Sequence, residues 1–423
     1  IPAVSTFFDN IGWSVFFNQA YQTTFAIISI WTAVGIAYVY AKNEKLEPLP
    51  VGLTSLSVFF LLQKLQVDAP LVGAMAKGGS GITDAAGKTL YTSSQLAHQI
   101  SQLPDAIQTY LKSPVTNVIN MTWLGGQGMI AAILCGLLVG WTYTLMAKAG
   151  WEIKLPEQVP ANVANQFSAM IPSGVIITVA MVVYAIFDKA LNTDLLNWIY
   201  QTLQIPLQGL SDSLGGGIIL AFMVVFFWFF GVHGGLIMGG IGGAFLLPNS
   251  ADNARLLAEG KLSLANGAHI VTNEFYNNFI NLTGSGITIG LVIFTLVGAK
   301  SVQFKSIGKV ELVPALFNIN EPFLFGLPLV MNPWLAIPFF LTPVVVALST
   351  YFVIKFGIVP PTGVAAPWTT PAVISGFFIG GWKMALWQAC VLAISTAIYW
   401  PFALKYDKYL KEQEDANAAT DAQ

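Results

Sequence analysis

Charge is what this chain has least of. Only 9% of its 423 residues are charged, against 55% that are hydrophobic, and the mean hydropathy is +0.66; ordinary soluble domains carry about 25% charged residues. A water-facing globular surface cannot be built from so few charges. Arginine is reduced to Arg255, the net charge is −2, and no basic stripe is interleaved with aromatics, so nucleic acid is excluded as a partner. The only cysteines, Cys135 and Cys390, lie in apolar segments without CxxC or histidine neighbours; they read as small core residues rather than a disulfide, metal site or redox pair. No Walker loop, Ser/His/Asp set, HExxH or metal-spaced His/Asp cluster is present, which leaves ATP hydrolysis and metal chemistry without a candidate site and predicts no cofactor. Energy must then come from a gradient or from another protein.

What the chain has is apolar runs. Stretches long enough to cross roughly 30 Å of hydrocarbon occur near residues 23–40, 51–66, 121–147, 171–187, 216–232, 285–299, 334–354 and 384–404. They predict an all-α polytopic membrane protein with eight passes as a working minimum, a count that tilted helices or re-entrant hairpins would change. Lysines cluster at Lys42/Lys45, Lys148/Lys154, Lys300/Lys305/Lys309 and Lys405/Lys408/Lys411, and the positive-inside rule assigns those loops to the cytoplasm. The polar stretch 67–120 then falls on the far side of the membrane. The sequence opens at Ile1 without a signal-peptide pattern and is expected to be part of a longer protein.

The pattern changes across 188–215, a polar, partly amphipathic connector with Pro206 and Gly215–Gly217 as helix stops. This divides the chain into a scaffold or dimerisation domain, 1–200, a second domain, 201–410, and a polar tail, 411–423. The second domain holds the exceptions: GVHGGLIMGGIGGAF, the LTGSG stretch 282–286 with Ser285, the NEP stretch, and PPTGVAAPWTTP at 360–371. Backbone at membrane depth leaves helical geometry only where it is buried in protein or lines a watery cavity, so these interruptions point to a solvated substrate site of the kind transporters build from broken helices.

Within that domain NINEPFLFGLPLVMNP, 318–333, places Glu321 between Asn320 and Pro322 in an apolar run. A buried, unpaired carboxylate costs several kcal/mol, so a partner is required. His233 follows the apolar run AFMVVFFWFF and is the expected partner, because intramembrane ionisable residues are functional by default. His269 and His98 lie in polar company and rank lower. Trp228 and Trp368 suit a sugar, whose C–H face packs on an indole while its hydroxyls take partners such as Asn320 and Glu321. Asn332 with Pro333 reads as the end of a hairpin. A proton- or sodium-coupled transporter using Glu321 and His233 as a relay fits the same residues.

These residues carry a resemblance. WLGGQGMIAAILCGL (123–137), WEIKLPEQVPANVANQFSAMIP (151–172), WFFGVHG (228–234), LTGSG (282–286), NINEPFLFGLPLVMNP (318–333) and GIVPPTGVAAPWTTP (357–371) are similar to the membrane subunit IIC of bacterial phosphotransferase-system sugar transporters, in the lactose, cellobiose and N,N′-diacetylchitobiose group. The resemblance implies a homodimer in the bacterial plasma membrane. Each protomer would have about ten transmembrane helices and two re-entrant hairpins, with an amphipathic helix and a first span preceding the segment that begins here. It implies a β-linked disaccharide substrate, bound, moved inward and phosphorylated on its C6 hydroxyl by a phosphocysteine on a cytoplasmic subunit IIB, with membrane lipids as the remaining partners. Both cysteines here are intramembrane, so the phosphate donor is not in this chain. Glu321 and His233 would hold the C6 hydroxyl, either one serving as the base. Asn320 and Ser285 would contact the sugar, and Trp228 and Trp368 would flank its rings.

Overall fold

In a computed structural model of the chain the described residues are 11–421, apart from 68, 70, 71, 73, 74, 76–81, 84–88, 154, 157 and 328. Ile1, Lys154 of the second lysine cluster, Pro328 of the NEP stretch and parts of the 67–120 segment therefore lie outside the described residues. Helix accounts for 73% of the described residues. In order the helices are α1 (Ser14–Gln22), α2 (Ile28–Asn43), α3 (Pro48–Leu61), α4 (Ser93–Ser101), α5 (Asp105–Lys112), α6 (Met129–Lys148), α7 (Ala161–Ala190), α8 (Leu195–Ile199), α9 (Ile205–Ser211), α10 (Leu214–Phe229), α11 (Gly234–Ala258), α12 (Asn273–Phe275), α13 (Ile289–Val297), α14 (Val302–Leu316), α15 (Glu321–Gly326), α16 (Pro333–Lys355) and α17 (Ile374–Asp421), the last broken at Gly381. Two small antiparallel ladders, Gln66–Val67 with Val115–Thr116 and Ile82–Thr83 with Thr89–Tyr91, occur in the polar stretch.

Residues Ser29–Leu124 and Ala131–Trp198 form one compact unit; Ile1–Ile28, Gly125–Ile130 and Ile199–Gln423 form a second. In the first, small residues let backbones approach closely, which is how helices associate where lipid is as apolar as leucine. The buried face of α2 is Ser29, Ala33, Ala37 and Ala41. A Cβ on Gly136 would stand 2.9 Å from Ile36, and one on Gly140 2.9 Å from Tyr40. Hydroxyls add polar contacts, with Ser55 Oγ donating to the Ala33 carbonyl at 2.9 Å and Thr54 Oγ1 within 2.7 Å of Ser173 Oγ.

The second unit is organised by the α10, α13, α16 and α17 core, with fully buried Phe294, Phe304, Phe323, Phe339 and Tyr399. The first turn of a helix leaves backbone amides without intrahelical partners, and short polar side chains take them up here: Ser213 Oγ accepts from the Gly216 amide, Ser301 Oγ from Phe304, and Asn332 Oδ1 from Trp334. Pro333 occupies the first turn of α16, where a missing N–H leaves nothing unpaired. Carboxylates of α17 take up the amides that lead into α14, Asp407 those of Lys300 and Ser301 and Glu414 those of Val302 and Gln303.

Four helices among the described residues are long and apolar enough to cross a membrane, Gly126–Lys148, Ala164–Ala190, Pro333–Lys355 and Ile374–Ala419; Leu195–Ser211 with Leu214–Phe229, bent by 71°, makes a fifth if counted as one span. The other apolar runs are shorter helices. The run at 285–299, for example, begins in a turn and is helical only from Ile289 to Val297. The connector also differs from expectation: the chain stays helical from Leu195 to Ser211 through a π-helical stretch, Tyr200–Gln204. Pro206 sits in the first turn of α9 instead of ending a helix, and the stop comes at Asp212. Cys135 is buried as expected, whereas Cys390 is exposed, because it lies on the outward face of α17.

Candidate functional site

Three irregular segments of the second unit meet at one place. Residues 283–287 form a turn with left-handed backbone at Thr283 (φ 59°), Gly284 (φ 94°), Gly286 (φ 88°) and Ile287 (φ 53°). Glycine is needed here for space as well as for conformation. A Cβ on Gly284 would stand 2.3 Å from the Asn320 side chain, and one on Gly286 2.4 Å from Phe339. The turn is gripped by two asparagines of the NIN triplet. Asn320 Nδ2 donates to the Ser285 carbonyl at 2.7 Å and to Thr288 Oγ1 at 3.0 Å. Asn318 Oδ1 accepts from the Thr283 amide at 2.6 Å, while its Nδ2 donates to the carbonyls of Trp368 and Thr370 at 2.6 and 3.0 Å. The 282–288 turn, the NEP segment and the PWTT segment are thus joined through side-chain amides.

The next residue after Asn320 is Glu321, the first of α15. His233 caps α11, its Nδ1 accepting from the Leu236 amide at 3.1 Å. An imidazole nitrogen that accepts carries no proton, so the ring's proton is on Nε2. That N–H faces Glu321, with Nε2 to Oε1 at 3.8 Å and both side chains a little under half exposed. The gap exceeds a hydrogen bond but matches a hydroxyl oxygen seated about 2.8 Å from each atom. Glu321 Oε2 has no hydrogen-bond partner among the described residues. The pair has therefore not satisfied itself. One ring of Trp228 lies beside it, 4.2 Å from the His233 ring by centroids and tilted by 44°.

A cavity of about 580 Å³ opens over this pair, within the usual size of small-molecule sites. Its lining includes all six residues singled out in the sequence, Trp228, His233, Ser285, Asn320, Glu321 and Trp368. They are not equivalent. Trp368 is 55% exposed and Trp228 only 3%, with its indole N–H unpartnered among the described residues. Asn320 is 2% exposed and has committed its amide nitrogen to the turn. Ser285 Oγ donates to Asn281 Oδ1 at 3.1 Å.

The structure adds residues that sequence reasoning did not name: Asn273, Tyr276, Asn277, Asn281 and Asn318 also line the cavity. The clue for Asn318 was present, because among residues with a side chain asparagine tolerates left-handed backbone well (φ 63° here) and can bridge loops. The others lie in a polar stretch where an asparagine is unremarkable. Behind the site, Glu311 of α14 is fully buried on the same face as Phe304, Gly308 and Ala315. The backbone donor near its carboxyl is the Phe323 amide, which already donates to the Asn320 carbonyl at 3.0 Å; neither Glu311 oxygen has a hydrogen-bond partner among the described residues.

Comparison with known proteins places this arrangement. The model of the family "Phosphotransferase system, EIIC" matches residues 3–343. The lichenan permease IIC component of Bacillus subtilis (strain 168) is 31% identical over 418 residues, covering 97% of this chain and 84% of that protein. The cellobiose-specific EIIC component of Geobacillus stearothermophilus is 32% identical over 401 residues, covering 93% and 80%. The crystal structure of the transporter ChbC, the IIC component from the N,N′-diacetylchitobiose-specific phosphotransferase system, superposes with a TM-score of 0.84 at 30% identity, covering 98% of this chain and 88% of that one. With a family model matching most of its length and relatives matching nearly all of it, the chain belongs to the EIIC family of the phosphotransferase system, the membrane permeases of sugar transport.

Proposed function

We propose that this EIIC protein binds a β-linked disaccharide, diacetylchitobiose or cellobiose, moves it to the cytoplasmic side of the bacterial plasma membrane and presents its C6 hydroxyl to a phosphorylated subunit IIB. The observation that carries the reading is the unsatisfied pair at the cavity floor. His233 Nε2–H and Glu321 Oε1, 3.8 Å apart, can both reach one hydroxyl oxygen seated beside them, near the exposed indole of Trp368, which suits a pyranose face. Of the two, the histidine already bears its proton on the nitrogen facing the gap, so Glu321 is the base and His233 the donor that fixes the hydroxyl oxygen. As the phosphoryl group arrives, the O6–H proton passes to Glu321, a placed general base being worth typically ~10²–10⁴ in rate. Asn320 contributes through Oδ1, since its nitrogen is committed, and Ser285, Trp228 and Trp368 complete the contacts.

The substrate assignment is supported by relatives named for cellobiose and diacetylchitobiose transport, and the subunit IIB partner by the lactose-specific EIICB component of Lacticaseibacillus casei, 35% identical over 306 residues. The wider organisation we propose is a homodimer of protomers with about ten transmembrane helices and two re-entrant hairpins. Residues 1–200 would form the dimerisation scaffold, 201–410 the sugar-binding domain and 411–423 a polar tail. In liposomes with phosphorylated IIB inside and radiolabelled disaccharide outside, the accumulated product should be the 6-phosphate and should vanish without IIB. Free sugar accumulating without IIB under a proton or sodium gradient would overturn the reading and make the pair a coupling site.

A further inference from the structure

A second histidine-carboxylate cluster lies in the same unit, away from the cavity. His269 stands between two aspartates, Nδ1 3.1 Å from Asp212 Oδ2 and Nε2 3.6 Å from Asp252 Oδ2. The other Asp212 oxygen accepts the amides of Ile270 and Val271 at 2.7 and 2.6 Å. Gln208 of α9 donates to Asp252 at 3.3 Å. Asn253, fully buried, accepts from the His269 amide at 2.7 Å and donates to the carbonyls of His269 and Thr362, both at 2.8 Å. Together these contacts tie the end of α9, the last turns of α11 and the segment 268–272.

Both arms leaving that knot run to the cavity. Along α11 the chain leads back from Asp252 to the cap His233, a separation of roughly 28 Å at helical rise. From Thr272, whose Oγ1 caps α12 through the Phe275 amide, the chain continues into Asn273, Tyr276, Asn277 and Asn281, all of which line the cavity. Tyr276 closes the circuit by donating to the Gly235 carbonyl at 3.0 Å. We propose that His269 is a positioning residue for the sugar cavity: as a cation clamped by Asp212 and Asp252, it holds the asparagine-bearing segment in register with α11 and hence with His233. The proposal rests on the reading of that cavity as a sugar site.

The physical argument is one of charge balance. Two carboxylates packed against one another repel, and a cation between them turns that repulsion into attraction on both sides. Burial disfavours the charge on His269, but the hydrogen bonds and charges of Asp212 and Asp252 outweigh it and lift its pKa from 6.5 to about 9. The titratable neighbours on the packed elements are few. Tyr351 of α16 lies within electrostatic reach of Asp212, and Tyr21 and Tyr200 within that of Asp252. Arg255, one turn from Asp252, is paired with Glu259 at 2.7 Å.

The test is disaccharide binding to the intact protein in nanodiscs between pH 7 and pH 10, with radiolabelled cellobiose and diacetylchitobiose, alongside hydrogen exchange of residues 268–281. Parental affinity should hold at pH 7 and fall about fivefold or more as pH passes about 9. His269→Gln should bind about tenfold more weakly at pH 7 with no further loss on raising the pH, and its Ile270 and Val271 amides should exchange faster. Asp252→Asn, which removes one clamping charge, should move the parental midpoint to lower pH. Parental affinity and exchange in His269→Gln would overturn the proposal. Should that variant fail to fold, a parental binding profile that stays flat to pH 10 would overturn it equally. If the parent binds neither sugar at any pH, the sugar reading fails, and the exchange rates alone decide the latch: faster exchange in His269→Gln supports it and unchanged exchange rejects it.

Discussion

The second unit contains the same chemistry twice, built to opposite ends. At His269 an imidazole and two carboxylates are closed on one another and on backbone amides, with side chains 12% to 22% exposed. At His233 an imidazole and one carboxylate stand 3.8 Å apart, nearly half exposed, with Glu321 Oε2 unpartnered among the described residues. A buried polar group left without a partner costs about 1–3 kcal/mol. The closed set is satisfied within the protein, and the open set is not.

The contrast is broken most directly at Glu321. Glu321→Gln keeps shape and hydrogen bonding but removes basicity, and sugar phosphorylation by IIB should fall about 10²–10⁴-fold with the melting temperature unchanged. A parental rate would show that the open pair is not the reacting pair. The closed set should behave in the reverse way, through stability. A folded imidazole with its pKa raised to about 9 keeps a proton that an unfolded one would release near 6.5. Its stabilising contribution is therefore complete below pH 6.5, declines as pH rises through that window, and is gone above about 9. Denaturation profiles of the parent should lose up to about 3 kcal/mol across it, and His269→Gln should lack that slope.

Asn318→Ala sharpens the comparison by removing a satisfied group that supports the open pair. With its bonds to Thr283, Trp368 and Thr370 gone, disaccharide affinity should drop about 10- to 100-fold, measured by equilibrium binding at pH 7. The smallest effect is expected at Glu311, a buried carboxyl that neither reacts nor finds a partner among the described residues. Glu311→Leu should raise the melting temperature by the equivalent of about 1–2 kcal/mol in a thermal-shift assay. A fall would mean that the side chain takes a partner in another conformation.

The open pair was legible in the sequence because its members are conspicuous: Glu321 and His233 each interrupt an apolar run, and burial physics demands that such residues answer to something. The closed set was not. Asp212 and His269 are 57 residues apart in sequence, each sits in polar company, and spacing carries no signal when three separate segments supply one residue each. The same holds for the helices. Hydropathy found the apolar stretches, but it does not register the left-handed residues at 283–287 that cut one of them to the nine residues Ile289–Val297. Nor does composition show that Pro206 would sit inside a continuous helical stretch rather than end one.

Asn318 has a mechanical consequence. One side chain fastens the 282–288 turn, the segment that carries Glu321 and the loop that carries Trp368, so these three cannot close around a sugar like fingers. They make a stiff cup. The inner dimensions of such a cup should be the same full or empty.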